Sequence, residues 1–139
     1  MARGDSSFNF EGLTLPQQIG RMSRTYPRFR VSVRRNTASW TGQVQPSAAS
    51  EAFTVKIDYE LRRRPKVWVL RPKLRSRGEE GVRHTFADGS VCLHLHEEWT
   101  PQMYIAETII PWLALWLLHY EAWHATGEWF GGGHEPKKK

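Results

Sequence analysis

The sequence predicts an α+β fold built on an antiparallel sheet, and three observations carry that prediction. Between Phe29 and Leu70 three short stretches alternate apolar and polar residues with a period of two and a fourth is a short apolar run, separated by brief connections. A capped amphipathic helix precedes them, and a long apolar helix follows. Strands joined by short connections usually pair with their sequence neighbours, so the four read as a meander with one helix before it and one after.

The first helix starts at Thr14-Leu15-Pro16-Gln17. Thr14 can cap free backbone N–H groups, Pro16 is tolerated in the first turn, and Gln17 completes a Thr-x-x-Gln capping box. Leu15, Ile19 and Met22 make one apolar face. Tyr26 precedes Pro27 and is pushed out of the helical region, so the helix ends there. From Phe29 the period becomes two. Phe29, Val31 and Val33 alternate with Arg28, Arg30, Ser32 and Arg34, which predicts a half-exposed strand. After a turn at Asn36-Thr37, Trp40, Gly42 and Val44 form a second strand, broken at Pro46-Ser47. Phe53, Val55, Ile57 and Tyr59 alternate cleanly with Thr54, Lys56, Asp58 and Glu60 in a third. Arg62–Pro65 turns the chain into the fourth, Val67–Leu70.

Lys73–Gly89 lacks periodicity and reads as loop, ending in the turn-favouring pair Asp88-Gly89. The one cysteine, Cys92, follows, then Glu97-Glu98 and Trp99-Thr100-Pro101. Thr100 reads as a helix cap with Pro101 in the first position, which predicts a helix over Gln102–Thr126. Pro111 predicts a kink or break near Glu107–Ile110. Leu113, Trp116, Leu117, Tyr120 and Trp123 follow helical spacing and are expected to pack on the sheet. Gly127 is a natural terminator, beyond which Trp129 and Phe130 are expected to fold back onto the core. A single domain is expected over residues 1–139, with flexible tails at 1–12 and 131–139.

Composition narrows the function classes. A chain with 40% hydrophobic residues is not a disordered one. The net charge of +6 comes mainly from arginines spread through the strand-like alternations. That pattern fits a solvated basic sheet face or an acidic partner. Arg28, Arg30, Arg34, Arg35 and Arg62–Arg64 also allow a nucleic-acid reading, but no nucleic-acid motif accompanies them, so nucleic acid is not the expected partner. One cysteine makes no intrachain disulfide. The stretch MARGDSSFNFEGL lacks a signal-peptide core, and the apolar run Ile105–Leu118 is shorter than the ~20 residues a spanning helix needs. A soluble cytoplasmic protein, off the membrane, is the expectation.

Cys92 is the candidate nucleophile. A thiolate both attacks and leaves well, which suits acyl carriage, and nearby cations raise its population above that of a thiol titrating near ~8.5. His84, His94 and His96 are the candidate neighbours. If residues 92–96 are extended, Cys92, His94 and His96 share a face, and an imidazole there can activate the thiol or take a proton from an attacking amine. The alternative for Cys92 is a buried structural thiol. His84, Cys92, His94 and His96 also make four potential zinc ligands, but the spacing does not resemble structural zinc sites. His119 and His124 stand about 140° apart on a helix and cannot share a metal. No metal and no cofactor is expected. Gly131-Gly132-Gly133 opens no helix and makes no phosphate loop, so an acyl donor must arrive already activated or be activated elsewhere. Asp88, Glu97 and Glu98 flank the thiol and are candidates for orienting an incoming lysine.

The run His84, Gly89, Val91-Cys92-Leu93, Trp99-Thr100-Pro101 and then a helix resembles the active-site segment of ubiquitin-conjugating enzymes. There a His-Pro-Asn motif precedes Gly-x-Ile/Val-Cys-Leu and Trp-Ser/Thr-Pro. His84-Thr85-Phe86 stands in place of His-Pro-Asn, so the family's oxyanion-stabilising asparagine has no counterpart. The C-terminal IIPWLALWLLHYEAWHATGEWFGGGH is similar to the conjugating-enzyme-like proteins of short type II CBASS anti-phage operons. The likeness runs from about Phe29 to His134. It implies a ubiquitin-conjugating-enzyme-like fold: N-terminal helix, four-stranded meander, active-site loop and long C-terminal helix. It implies Cys92 as the acyl carrier, with His84 at the position of the motif histidine; His94 and His96 remain candidate supporting residues on the chemical argument above. It also implies a partner, the C-terminus of a CD-NTase (a cyclic oligonucleotide synthase), carried as a thioester and passed to an amine. The rival from another class is a non-catalytic binding module on the same fold.

Overall fold

A computed structural model of the chain describes residues 12–93 and 98–131. His94, His96, Glu97 and, apart from Gly12 and Gly131, the two expected tails lie outside the described residues.

The chain enters through α1 (Leu15–Thr25), and its capping box forms as the sequence dictates. The Gln17 N–H donates to Thr14 Oγ1 (3.2 Å), and the Thr14 N–H donates to Gln17 Oε1 (2.8 Å). Such caps are typically worth ~1 kcal/mol. Leu15 and Met22 are buried, with Ile19 half-buried against the same core. The fully buried residue that apolar periodicity missed is Gln18. Its amide donates to the Met103 carbonyl (2.8 Å) and accepts from the Ile105 N–H (2.9 Å), stitching α1 to the segment ahead of the last helix. Both ends are satisfied, which is what makes a buried amide tolerable. Arg21 adds an ion pair to Glu107 and lies over the Tyr104 ring at 3.8 Å.

Four strands follow: β1 (Arg30–Arg34), β2 (Thr37–Val44), β3 (Phe53–Glu60) and β4 (Lys66–Arg71). They pair antiparallel in the order β1-β2-β3-β4, the predicted meander. Register sets Trp40 opposite Ile57 and Ala38 opposite Tyr59. Phe53, Val55, Ile57 and Tyr59 are all buried on the inner face, as their alternation requires. β1 differs from expectation, because all five of its residues are exposed rather than every second one. Val31 and Val33 pair with Trp40 and Ala38 and so share the inner face, but they sit on the sheet's edge with a strand on one side only. A period-two pattern states which way side chains point; it does not supply the layer that covers them.

The last helix also starts later than expected. Thr100 and Pro101 lie in a turn, a 3-10 turn spans Ile105–Glu107, and α2 runs Ile109–Thr126. The break falls at Thr108, within the stretch where Pro111 predicts one. Pro111 has no N–H to donate and crowds the carbonyl four residues back, so it fits only in a first turn. The Thr108 hydroxyl does not cap α2. It donates to the Tyr104 carbonyl (2.7 Å) and accepts from Trp99 Nε1 (3.1 Å). Leu113, Trp116, Leu117, Tyr120 and Trp123 are buried, with Tyr120 edge-on to Phe53 at 6.3 Å. Gly127 ends the helix in the left-handed region (φ 86°), where glycine carries no Cβ penalty. Trp129 does return, its ring 5.3 Å from Trp116 and 6.3 Å from Trp123. Phe130 does not; it is 63% exposed. Among the described residues no helix is long and apolar enough to cross a membrane.

Candidate active site

The segment carrying Cys92 is a small hairpin rather than an open loop. Thr85 and Val91 form an antiparallel bridge, and the Phe86 N–H donates to the Ser90 carbonyl (2.8 Å). The predicted Asp88-Gly89 turn closes it, with Gly89 at φ 91° and its N–H on the Phe86 carbonyl (2.9 Å). The hairpin is fastened to the sheet by the Val91 N–H, which donates to the Val67 carbonyl of β4 (2.9 Å). Cys92 follows at once, 7% exposed, so the thiol is buried at rest.

His84 stands beside it through the backbone. The Cys92 N–H donates to the His84 carbonyl at 2.8 Å, and Trp116 Nε1 from α2 donates to the same oxygen at 3.2 Å. His84 holds φ 55°, a conformation uncommon for a residue with a Cβ, and the two hydrogen bonds keep it there. Its ring is buried against Trp129 at 4.7 Å. Two consequences follow for the chemistry. The Cys92 N–H is occupied while the hairpin is closed, so it is not a donor to an oxyanion in this arrangement. The His84 ring lies against Trp129, and the backbone link from His84 to Cys92 is made by the His84 carbonyl. Nothing in the sequence signals the Trp116–His84 bond, because 32 residues separate the two.

Trp116→Phe tests that link. It keeps an aromatic side chain but removes the donor to the His84 carbonyl and part of the buried indole, with an expected loss of ~2–3 kcal/mol in denaturant unfolding. The same substitution should speed alkylation of Cys92 by a small thiol reagent, because the hairpin then opens more often. An unchanged alkylation rate would mean the bond does not hold the thiol segment.

Asp88 is engaged by the turn itself rather than presented to an incoming lysine. Its carboxylate accepts from the Ser90 hydroxyl (2.6 Å) and N–H (2.9 Å) and pairs with Lys66 (3.1 Å). The Ser90 hydroxyl, then the Ser90 amide, then Lys66 hold its pKa below the ordinary 3.8. A depressed acid contributes stability above its unfolded pKa and loses it as pH falls through the lowered folded value. The Ser90 amide resonance should therefore shift in that acid range in an NMR titration, and the shift should vanish in Asp88→Asn. A shift that persists in the variant would assign the titration to another group.

Beside the hairpin lies a groove of about 610 Å³. Pro65, Val67, Phe86, Val91 and Leu93 give it apolar walls, and Arg63, Arg64 and Lys66 stand at its rim. Phe86, at the position where the asparagine would be, is one of those walls. Among the described residues no cluster of three or more His, Cys, Asp or Glu could hold a metal.

The family model for type II CBASS E2 proteins matches residues 18–136. The chain belongs to that family. No curated protein matches it as a relative. This CBASS E2 protein is thus a conjugating-enzyme-like component of an antiviral defence system, and its N-terminal helix, meander and C-terminal helix agree with that class of fold. The family match begins within α1, well before the Phe29 at which the sequence likeness becomes readable by motif.

Proposed function

We propose that this CBASS E2 protein uses Cys92 to carry the C-terminus of a CD-NTase as a thioester and pass it to an amine. The observation that carries the reading is the position of Cys92, the one thiol in the chain. It lies at the family's Val-Cys-Leu position and directly follows a hairpin fastened to β4, between two residues, Val91 and Leu93, that line a peptide-sized groove. The donor arrives with its terminal carboxyl activated. The Cys92 thiolate attacks the carbonyl and expels the activating group. An acceptor amine then attacks the thioester, loses its proton to a base, and releases the thiolate. His84 serves as a positioning residue through its carbonyl, and His94 and His96 are the candidates for the base.

Incubating the chain with a CD-NTase whose natural C-terminal carboxyl has first been activated as a small-molecule thioester, then comparing reduced and unreduced samples by mass spectrometry, tests this. An adduct equal to the two chains less the activating group, cleaved by thiol reductant, is expected. A second reading, a non-catalytic binding module, is favoured by one observation: Cys92 is buried. Stable partner binding with no reducible adduct would establish that reading in place of the first.

A further inference from the structure

The tight turns at one end of the sheet bring together arginines that are far apart in sequence. β2 and β3 are antiparallel neighbours, with Thr37 opposite Glu60, so the β1–β2 and β3–β4 turns lie side by side. A hydrogen bond from the Leu61 N–H to the Asn36 carbonyl (2.9 Å) ties them. Arg34 and Arg35 from one turn and Arg62, Arg63 and Arg64 from the other are all exposed there. Glu60 pairs with Arg63 at 3.7 Å. Among the described residues, Arg34, Arg35 and Arg64 make no ion pair.

This arrangement is unfavourable for the isolated fold on two counts. Like charges gathered this closely repel. Arg35 (φ 52°) and Arg62 (φ 70°) also occupy left-handed positions where glycine or asparagine would be unstrained. The Tyr59 hydroxyl holds the second of these by accepting from the Arg62 N–H at 3.1 Å. Strained residues of the same charge, at the tips of adjacent turns, indicate a surface shaped for an external anion.

We propose that this end of the sheet docks an acidic, partly apolar peptide segment of a protein partner. Arg63 and Arg64 are shared by two hollows. One is the groove floored by Phe86, Val91 and Leu93; the other, of about 390 Å³, is completed by Arg62, Trp99 and Pro101. Carboxylates on the arginines would therefore place neighbouring apolar side chains in the groove lined by Val91 and Leu93, the chain neighbours of Cys92. Apolar walls give nothing to a phosphate backbone, and Trp99 is buried and offers no stacking platform, so a peptide fits better than nucleic acid. A second copy of a chain carrying net +6 is disfavoured by charge. The link to conjugation rests on the reading of Cys92 as acyl carrier; the docking does not require it.

The test is fluorescence anisotropy of the full chain with a labelled synthetic peptide of glutamate pairs separated by leucines, over a sodium chloride series. Arg35→Asn with Arg64→Ser should weaken binding about tenfold at low salt and flatten the salt dependence. Asparagine suits the left-handed position, so the fold is kept. Arg71→Ala with Lys73→Ala, at and just past the opposite end of β4, should leave binding unchanged. Cys92→Ala should bind as the wild type does. The proposal is overturned if the wild type does not bind, if the two double variants lose affinity equally, if replacing leucine by serine in the peptide changes nothing, or if a duplex DNA of similar charge binds more tightly. Docking retained without a reducible adduct would count against the acyl-carrier reading alone.

Discussion

Cys92→Ala is expected to abolish capture of the donor, and Cys92→Ser to trap it as an ester that survives thiol reductant. An alkoxide is a much poorer leaving group than a thiolate, so the second half-reaction, attack by the amine, stalls on serine. Because Cys92 is 7% exposed, the alanine variant also removes a buried sulfur, at a cost of about 1 kcal/mol. That is small against the 5–15 kcal/mol typical of a folded domain, so loss of the adduct would report chemistry rather than unfolding. Intact-mass measurement with and without reductant, beside a thermal melt, separates the two. A normal yield of conjugate from Cys92→Ala would remove the thiol from the reaction.

Trp123→Ala should cause the largest loss of stability, ~3–5 kcal/mol, lowering the melting temperature by roughly 10–20 °C. Trp123 is 0% exposed in the last full turn of α2, with Tyr120, His124 and Trp129 ringed around it at 5.0–6.3 Å. Truncation opens a large cavity and loosens Trp129, whose ring covers His84. Leu115→Ala on the same helix removes a side chain that is 53% exposed and should change stability by no more than about 0.5 kcal/mol. Equal melting temperatures for the two variants would mean that the inner face of α2 is not the packed one.

The parts of this fold legible in the sequence are those fixed by neighbours in the chain. The Thr14–Gln17 box, the alternation of β3, the stop at Gly127 and the break ahead of Pro111 each depend on interactions within a few residues. Distant partners decide the rest. Gln18 looks like an interruption of an apolar face until Met103 and Ile105 supply its hydrogen bonds. Thr100 satisfies the rule for a cap, yet Trp99 and Tyr104 recruit Thr108 and move the helix start. The valines of β1 alternate correctly and remain exposed because no third layer reaches the edge. At the candidate site, the cysteine and its turn were readable from motif and turn chemistry. The His84 carbonyl as a shared acceptor, and the meeting of the two arginine turns, required the sheet.

The His84 carbonyl has a consequence for how residue 84 can vary. The link that fastens the thiol segment to α2 is made by a main-chain atom, which every amino acid carries. What position 84 demands is a left-handed backbone, which asparagine and glycine adopt as readily as histidine or more so. The backbone link by itself therefore does not require an imidazole at this position. Relatives in which asparagine or glycine replaces it can keep the same backbone anchoring of the cysteine, while a β-branched residue at the same place would strain it.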